Sequence, residues 1–116
     1  MRENIIKDKS FQFAIRIVNL CKFLNNSKKE YILSKQLLRS GTSIGAMIRE
    51  SEHAESKADF IHKLAIAQKE TNESLYWLEL LYKTDYITQE EFKSLNLDAV
   101  ELIKLLTAIL KSSKTN

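Results

Sequence analysis

The residues that come closest to a metal-binding pattern are two carboxylate–histidine pairs, Glu50 with His53 and Asp59 with His62. Residues three apart share one face of a helix, and di-iron helical bundles combine two such Glu-x-x-His pairs with a glutamate from each of the other two helices. Here both pairs flank one turn, and the first helical segment has no acidic residue after Asp8. We therefore expect no metal site and no cofactor.

The other reactive residue types do not form a catalytic pattern either. Cys21 is the only cysteine and lies on the apolar flank of a helical stripe, where a thiol behaves as a small hydrophobic side chain. Gly41 and Gly45 follow a helical rather than a strand-like segment, and no Gly-Lys-Ser/Thr follows them, so the pattern does not predict a phosphate-binding loop. We predict that the protein is not an enzyme.

The composition favours a small helical domain. The 116 residues include no proline and two glycines, too few turn-forming residues for a sandwich or barrel of strands. A hydrophobic fraction of 44% with 28% charged residues is typical of globular chains. No apolar run reaches the length of a membrane span, the first residues lack a signal-peptide core, and a lone cysteine suits a reducing compartment. We expect a cytoplasmic protein without a membrane partner.

Apolar residues recur at helical spacing in four segments. These predict a single domain, 1–116, with helices over about residues 8–25, 28–53, 57–83 and 89–111. The runs Ser56–Asp59 and Thr88–Glu91 resemble capping boxes at the starts of the third and fourth helices. Short connections favour antiparallel neighbours. The predicted fold is therefore an all-α, up-down-up-down antiparallel four-helix bundle.

The third helix carries apolar residues away from its core stripe. Ile66, Trp77 and Leu80 cluster on the opposite flank, and a contiguous apolar patch on a surface usually marks an interface. We predict that these three residues form an oligomer interface. The alternative is a core face wider than an ideal helical wheel draws.

Charge is segregated along the chain. Residues 1–49 hold ten Lys and Arg against three Asp and Glu, whereas residues 50–91 hold four against ten. Opposite faces of this kind can attract adjacent helices within one bundle, or pair head-to-tail between copies and close into a ring. A pI near 9 also makes a nucleic-acid footprint worth proposing. The candidate phosphate contacts are Arg16, Lys22, Lys28, Lys29, Lys35, Arg39 and Arg49.

The second helix contains an unusual run of small and polar residues. Gly41 and Gly45 each cost about 1 kcal/mol relative to alanine in mid-helix, and glycines four apart leave a groove for close approach of another helix. Arg39 lies on the flank beside the core stripe, where it needs carboxylate partners. Glu70 and Glu73 of the third helix are the predicted partners.

Two runs in the central helices are the most distinctive of the chain, Arg39-Ser-Gly-Thr-Ser43-Ile-Gly-Ala-Met-Ile48-x-Glu50 and Ser56-x-Ala-Asp-Phe60-x-x-Lys-Leu64-x-x-Ala67-x-Lys-Glu70-x-x-Glu73. Together they resemble the four-helix bundle proteins of the 23S rRNA intervening-sequence type. The residues taken as the structural motif are Arg39, Gly41, Ser43, Gly45, Glu50, Ser56, Phe60, Glu70 and Glu73.

The resemblance implies properties that the composition does not. The family forms homopentameric rings and has no enzymatic activity attached to it. A similar protein is the accessory factor of diversity-generating retroelements, which binds nucleic acid and a reverse transcriptase.

Two functional hypotheses follow. The first is a non-catalytic homo-oligomer, a pentamer by the resemblance, that binds RNA or DNA through a basic surface on the first two helices. The alternative is a protein–protein interaction scaffold, for a partner such as a reverse transcriptase, that does not bind nucleic acid. Salt dependence separates the two, because binding to phosphates weakens steeply with ionic strength.

Overall fold

The computed structural model describes residues 2–114, and side chains from Ile5 onward. The chain forms four helices, α1 Arg2–Ser27, α2 Leu33–Ser51, α3 Lys57–Lys83 and α4 Gln89–Lys114. Each helix packs against the next, and α4 returns to α1, in a body of 47 × 22 × 19 Å. The predicted all-α, up-down-up-down bundle is confirmed. Of the predicted domain, 1–116, Met1, Thr115 and Asn116 lie outside the described residues.

The core is the shared interior of the four apolar stripes. Every helix contributes side chains that are at most 1% exposed. Burying such stripes against one another is the main favourable contribution to folding. The central side chains are Phe13, Ile17 and Leu24 of α1, Leu37 and Ile44 of α2, Leu78 and Leu81 of α3, and Leu102 and Leu106 of α4.

The first helix begins at Arg2 rather than near residue 8. Ile6 is 1% exposed, so the core stripe reaches one turn further than the pattern suggested. The Ser10 hydroxyl donates to the Lys7 carbonyl oxygen at 3.0 Å inside the continuing helix. The prediction of a later start was wrong because a serine that bonds back to the preceding turn does not interrupt a helix.

The second helix begins at Leu33 rather than near residue 28. Lys29 has a left-handed backbone with a φ of 55°, which no helix can include. Glu30 then accepts hydrogen bonds from the backbone N–H groups of Ile32 at 3.0 Å and of Leu33 and Ser34 at 2.8 Å. Its carboxylate thus satisfies the unpaired donors at the helix start.

The remaining differences are at helix ends, where α1 and α4 end later than predicted and α2 ends two residues earlier. The third helix starts at the predicted box, in which the Asp59 N–H donates to the Ser56 hydroxyl at 3.0 Å. In the fourth, the Glu91 N–H donates to the Thr88 hydroxyl at 3.1 Å, and the Thr88 N–H donates to the Glu91 carboxylate at 2.8 Å. Both pairs satisfy donors that a helix start leaves free.

Of the two glycines, Gly41 lies where α1 and α2 approach each other more closely. A Cβ atom at position 41 would lie 2.9 Å from both Cγ1 and Cγ2 of Ile17. At Gly45 the nearest atom would be the Ser10 Oγ at 3.4 Å, which is close to ordinary contact. The β-branched Ile17 side chain is stiff, so it cannot easily move aside at position 41.

We expect Gly41→Ala to destabilise the bundle and Gly45→Ala not to. Overpacking of a core costs about 1–3 kcal/mol, whereas alanine gains about 1 kcal/mol over glycine in a helix. Gly41→Ala should therefore lower the free energy of unfolding, while Gly45→Ala should leave it equal or raise it. Urea unfolding followed by circular dichroism measures both. Equal stability of the two variants would contradict the close approach.

Candidate nucleic-acid interface

One end of the bundle is built by the connection between α1 and α2. The left-handed Lys29 reverses the chain, and the Glu30 N–H donates to the Leu24 carbonyl oxygen at 2.9 Å. The Glu30 side chain is buried. Burial alone would raise the pKa of its carboxyl, but hydrogen bonds from the N–H groups of Leu33, Ser34 and Ile32 outweigh that effect and hold the pKa below its usual value. An ionised, buried carboxylate therefore holds this turn in place.

Around that turn lies a group of exposed side chains that we name the turn patch: Lys22, Lys28, Lys29, Tyr31 and Lys35. They come from the last turns of α1, the connection and the first turn of α2. Within residues 5–114 none of these four lysines forms an ion pair, although the Lys28 Nζ lies 5.9 Å from the centroid of the Phe23 ring. Tyr31 is 58% exposed. The patch therefore presents four lysines without ion pairs beside an accessible aromatic ring.

Two arginines of the predicted basic surface, Arg16 and Arg39, have carboxylate neighbours. Arg16 donates from Nη1 to Asp98 Oδ2 at 2.5 Å and from Nη2 to the Ser94 hydroxyl at 2.9 Å. Both acceptors belong to α4, so the Arg16 charge is compensated across the α1–α4 seam.

Arg39 joins α2 to α3. Its Nη1 donates to Glu70 Oε1 at 3.2 Å and its Nη2 donates to Glu73 Oε2. That same oxygen accepts from Trp77 Nε1 at 3.0 Å. The carboxylates expected as partners of Arg39 are thus the ones it contacts, but Arg39 is half exposed rather than buried.

This network shifts two pKa values in the directions that favour the charged forms. The hydrogen bond to Glu73 is the largest cause that raises the pKa of Arg39 above its usual value. The hydrogen bond from Trp77, and then the one from Arg39, hold the pKa of Glu73 below its usual value. Sequence reasoning placed Trp77 only at an interface; its indole N–H also orients the Glu73 carboxylate.

Arg49, the last of the predicted phosphate contacts, lies away from the turn patch. Its guanidinium carbon is 5.0 Å from the centroid of the Phe11 ring, and it forms no ion pair among the residues that the structure describes. Arg49 is fourteen positions after Lys35 on α2, a distance of about 21 Å along the helix at 1.5 Å per residue. The structure therefore brings together four of the seven predicted basic residues and leaves Arg49 near the opposite end of α2.

The other motif residues have local structural contacts. The Ser43 hydroxyl donates to the Arg39 carbonyl oxygen at 2.6 Å, and Glu50 accepts from Lys63 Nζ at 3.1 Å. Phe60 packs half-buried against the core.

In the part of the chain that the structure describes, no group of three or more His, Cys, Asp and Glu side chains could hold a metal ion.

Cys21 is buried, and its thiol donates to the Ser34 carbonyl oxygen at 3.3 Å. Burial, helped by the nearby Glu30 charge, raises the pKa of Cys21 to about 11. The thiolate that a nucleophile requires is therefore scarce near neutral pH.

The predicted interface residues Ile66, Trp77 and Leu80 are all half-buried. Trp77 packs against the core and meets the Tyr76 ring edge-on, with centroids 4.9 Å apart. Tyr76 is 57% exposed and extends the apolar surface of α3 outward. A second exposed apolar pair, Phe11 and Ile15, lies one turn apart on α1, with 48% and 40% of each residue exposed.

Comparison with known proteins assigns a family to the chain. The sequence model of the family described as 23S rRNA-intervening sequence protein matches residues 2–108. A crystal structure from Bacteroides thetaiotaomicron, a protein of unknown function from the S23 ribosomal protein family, superposes with a TM-score of 0.95 at 62% sequence identity. The alignment covers 96% of this chain and 99% of that one. No curated protein matches. Among the described residues no helix is both long and apolar enough to cross a membrane.

We expect Glu73→Gln to destabilise the protein at neutral pH but not in acid. The folded-state pKa of Glu73 is lowered, so its stabilisation is complete above the unfolded pKa, about 4.3, and is lost as pH falls through the folded pKa. At pH 7 the loss in free energy of unfolding should be about 1 kcal/mol. Urea unfolding across this pH range measures the difference.

The control is Glu79→Gln on the same helix, because Glu79 is exposed and has no ion-pair partner within the described residues. A Glu73→Gln effect that is the same at pH 7 and in acid would contradict the charge network.

Proposed function

The chain belongs to the 23S rRNA-intervening sequence protein family, and on that premise we propose that it is a non-catalytic, homo-oligomeric bundle that binds nucleic acid, RNA above all, through α1 and α2. The observation that carries the proposal is the turn patch. Its four lysines have no carboxylate partner among the described residues, and they surround an exposed tyrosine. Unpaired cations are free to replace the counterions of a phosphate backbone.

The charge distribution supports a directed contact. Arg16 and Arg39 are already paired with acids of α4 and α3, so the field of α1 and α2 is concentrated at the turn patch. α3 itself holds four acidic and four basic residues, so the acidic excess of residues 50–91 lies outside it, in Glu50, Glu52, Glu55, Asp85, Glu90 and Glu91. The four lysines of the turn patch are therefore the unpaired cluster to which phosphates are drawn.

Self-association would multiply this weak patch through avidity. α1 and α3 both pack against α2 and α4, so they lie diagonally opposite and their outer faces point in opposite directions. One exposes Phe11 and Ile15, and the other exposes Tyr76 beside the half-buried Ile66 and Leu80. We propose a head-to-tail contact between these two faces, which closes into a ring. A pentamer is the ring that the resemblance implies.

We expect charge reversal in the turn patch to abolish RNA binding without unfolding the protein. The variant is Lys28→Glu/Lys29→Glu/Lys35→Glu, and the control is Lys93→Glu/Lys104→Glu/Lys111→Glu, three exposed lysines of α4. Fluorescence anisotropy with a structured RNA, at salt between about 50 and 200 mM, should show affinity that falls steeply with salt. The first variant should lose at least tenfold, and the control should lose much less.

Equal losses in the two variants would mean that net charge matters and the patch does not. A wild-type protein that fails to bind RNA at low salt would favour the alternative, a scaffold for a protein partner such as a reverse transcriptase.

We expect light scattering of the wild type to give a mass near five chains of 13.5 kDa. The Ile15→Glu and Leu80→Glu variants should each be monomers. Each variant keeps one of the two faces intact. In an equal mixture, the intact α1 face of Leu80→Glu can pair with the intact α3 face of Ile15→Glu. A head-to-tail contact therefore predicts a dimer of twice 13.5 kDa that cannot grow further. Leu97→Glu is the control, because Leu97 is 70% exposed on α4 outside both faces. A wild-type monomer would contradict self-association, and a mixture that stays monomeric would contradict the pairing of different faces.

A further inference from the structure

A cavity of about 210 Å³ opens beside the turn patch between α1 and α2. Its lining comes from the last turns of α1, the connection and the first two turns of α2: Cys21, Asn25, Tyr31, Ser34, Lys35 and Leu38. Pockets for drug-sized ligands occupy about 300–1,000 Å³. The cavity is smaller than these and suits one planar ring system rather than a whole nucleotide.

We propose that this cavity binds a single unpaired nucleobase, stacked on Tyr31 and hydrogen-bonded at its edge by Asn25, while the lysines of the turn patch hold the adjoining phosphates. The proposal rests on the proposed nucleic-acid function and names the part of the nucleic acid that is recognised.

Tyr31 supplies the stacking surface. It is 58% exposed, and within the described residues its ring has no aromatic partner. An exposed ring among unpaired lysines is the arrangement by which proteins hold single strands, because a base can stack on it while the phosphates meet the cations. Tyr31 directly follows the buried Glu30, so the backbone that carries the ring is anchored.

Asn25 supplies the hydrogen bonds at the edge. Its Oδ1 lies 2.9 Å from the Ser34 hydroxyl, whose single proton it shares with the Glu30 carbonyl oxygen at 3.0 Å, and its Nδ2 group has no hydrogen-bond partner among the residues the structure describes. An amide N–H₂ group donates to the ring nitrogens and carbonyl oxygens at base edges. Ser34 is itself buried and held by Glu30, so the amide is positioned by a supported neighbour.

Two of the residues that line the cavity carry no charge. Leu38 contributes a hydrocarbon surface, and the Cys21 thiol is kept neutral by a pKa raised to about 11. These uncharged residues favour a base in the cavity, while the lysines of the turn patch hold the phosphates. Bases in a duplex are stacked and paired and cannot enter, so the ligand is a single strand or a loop.

The test compares single-stranded and duplex oligonucleotides of one sequence by fluorescence anisotropy, as RNA and as DNA, together with a DNA strand that carries abasic sites. Tyr31→Ala should weaken binding of the intact single strands about tenfold and leave duplex binding and the salt dependence unchanged. Tyr31→Phe, which keeps the ring, should bind like the wild type.

On the abasic strand, wild type and Tyr31→Ala should bind equally weakly, because the group that stacks on Tyr31 is missing. If Tyr31→Ala weakens binding of the intact and abasic strands equally, or weakens binding of neither, the base site is overturned. Loss of binding on reversal of the lysines would in that case still uphold the proposed function. If the wild type binds none of these nucleic acids, both proposals fail.

Discussion

The close approach of α1 and α2 is the constraint on which the rest of the structure depends. α2 reaches α1 at Gly41 only because no Cβ is present there, since one would lie 2.9 Å from two carbons of Ile17. The same pair of helices is closed at one end by Glu30, whose buried carboxylate accepts hydrogen bonds from the backbone N–H groups of Ile32, Leu33 and Ser34 at the start of α2. The close seam and the anchored turn together determine where Lys28, Lys29 and Tyr31 are presented.

The basic residues of the first two helices do two different things. Arg16 and Arg39 reach across helix seams to carboxylates of α4 and α3, and their planar guanidinium groups suit such multiple hydrogen bonds. The lysines of the turn patch form no ion pair in the described part of the chain. Attraction between adjacent helices and attraction of an external anion are therefore compatible.

The apolar surface also divides in a way that helical wheels did not show. Trp77 was predicted at an interface, yet much of its ring packs against the core while its N–H binds Glu73. The large apolar residues most exposed on these helices are Ile5 and Phe11 of α1 and Tyr76 of α3. A helical wheel shows only the direction in which each side chain leaves the axis of one helix. The exposure of that side chain also depends on how far neighbouring helices and long side chains cover it.

The sequence by itself determined the fold class, the number of helices, the family and the carboxylate partners of Arg39, because each depends on spacing along one or two helices. It placed the start of α2 too early, because the left-handed Lys29 and the cap by Glu30 depend on a turn that no periodic pattern marks. Only the tertiary structure decided which cations are compensated, since Arg16 meets Asp98 eighty-two residues away. It also formed the cavity beside Tyr31, because the side chains that line a cavity come from two helices whose relative register depends on packing.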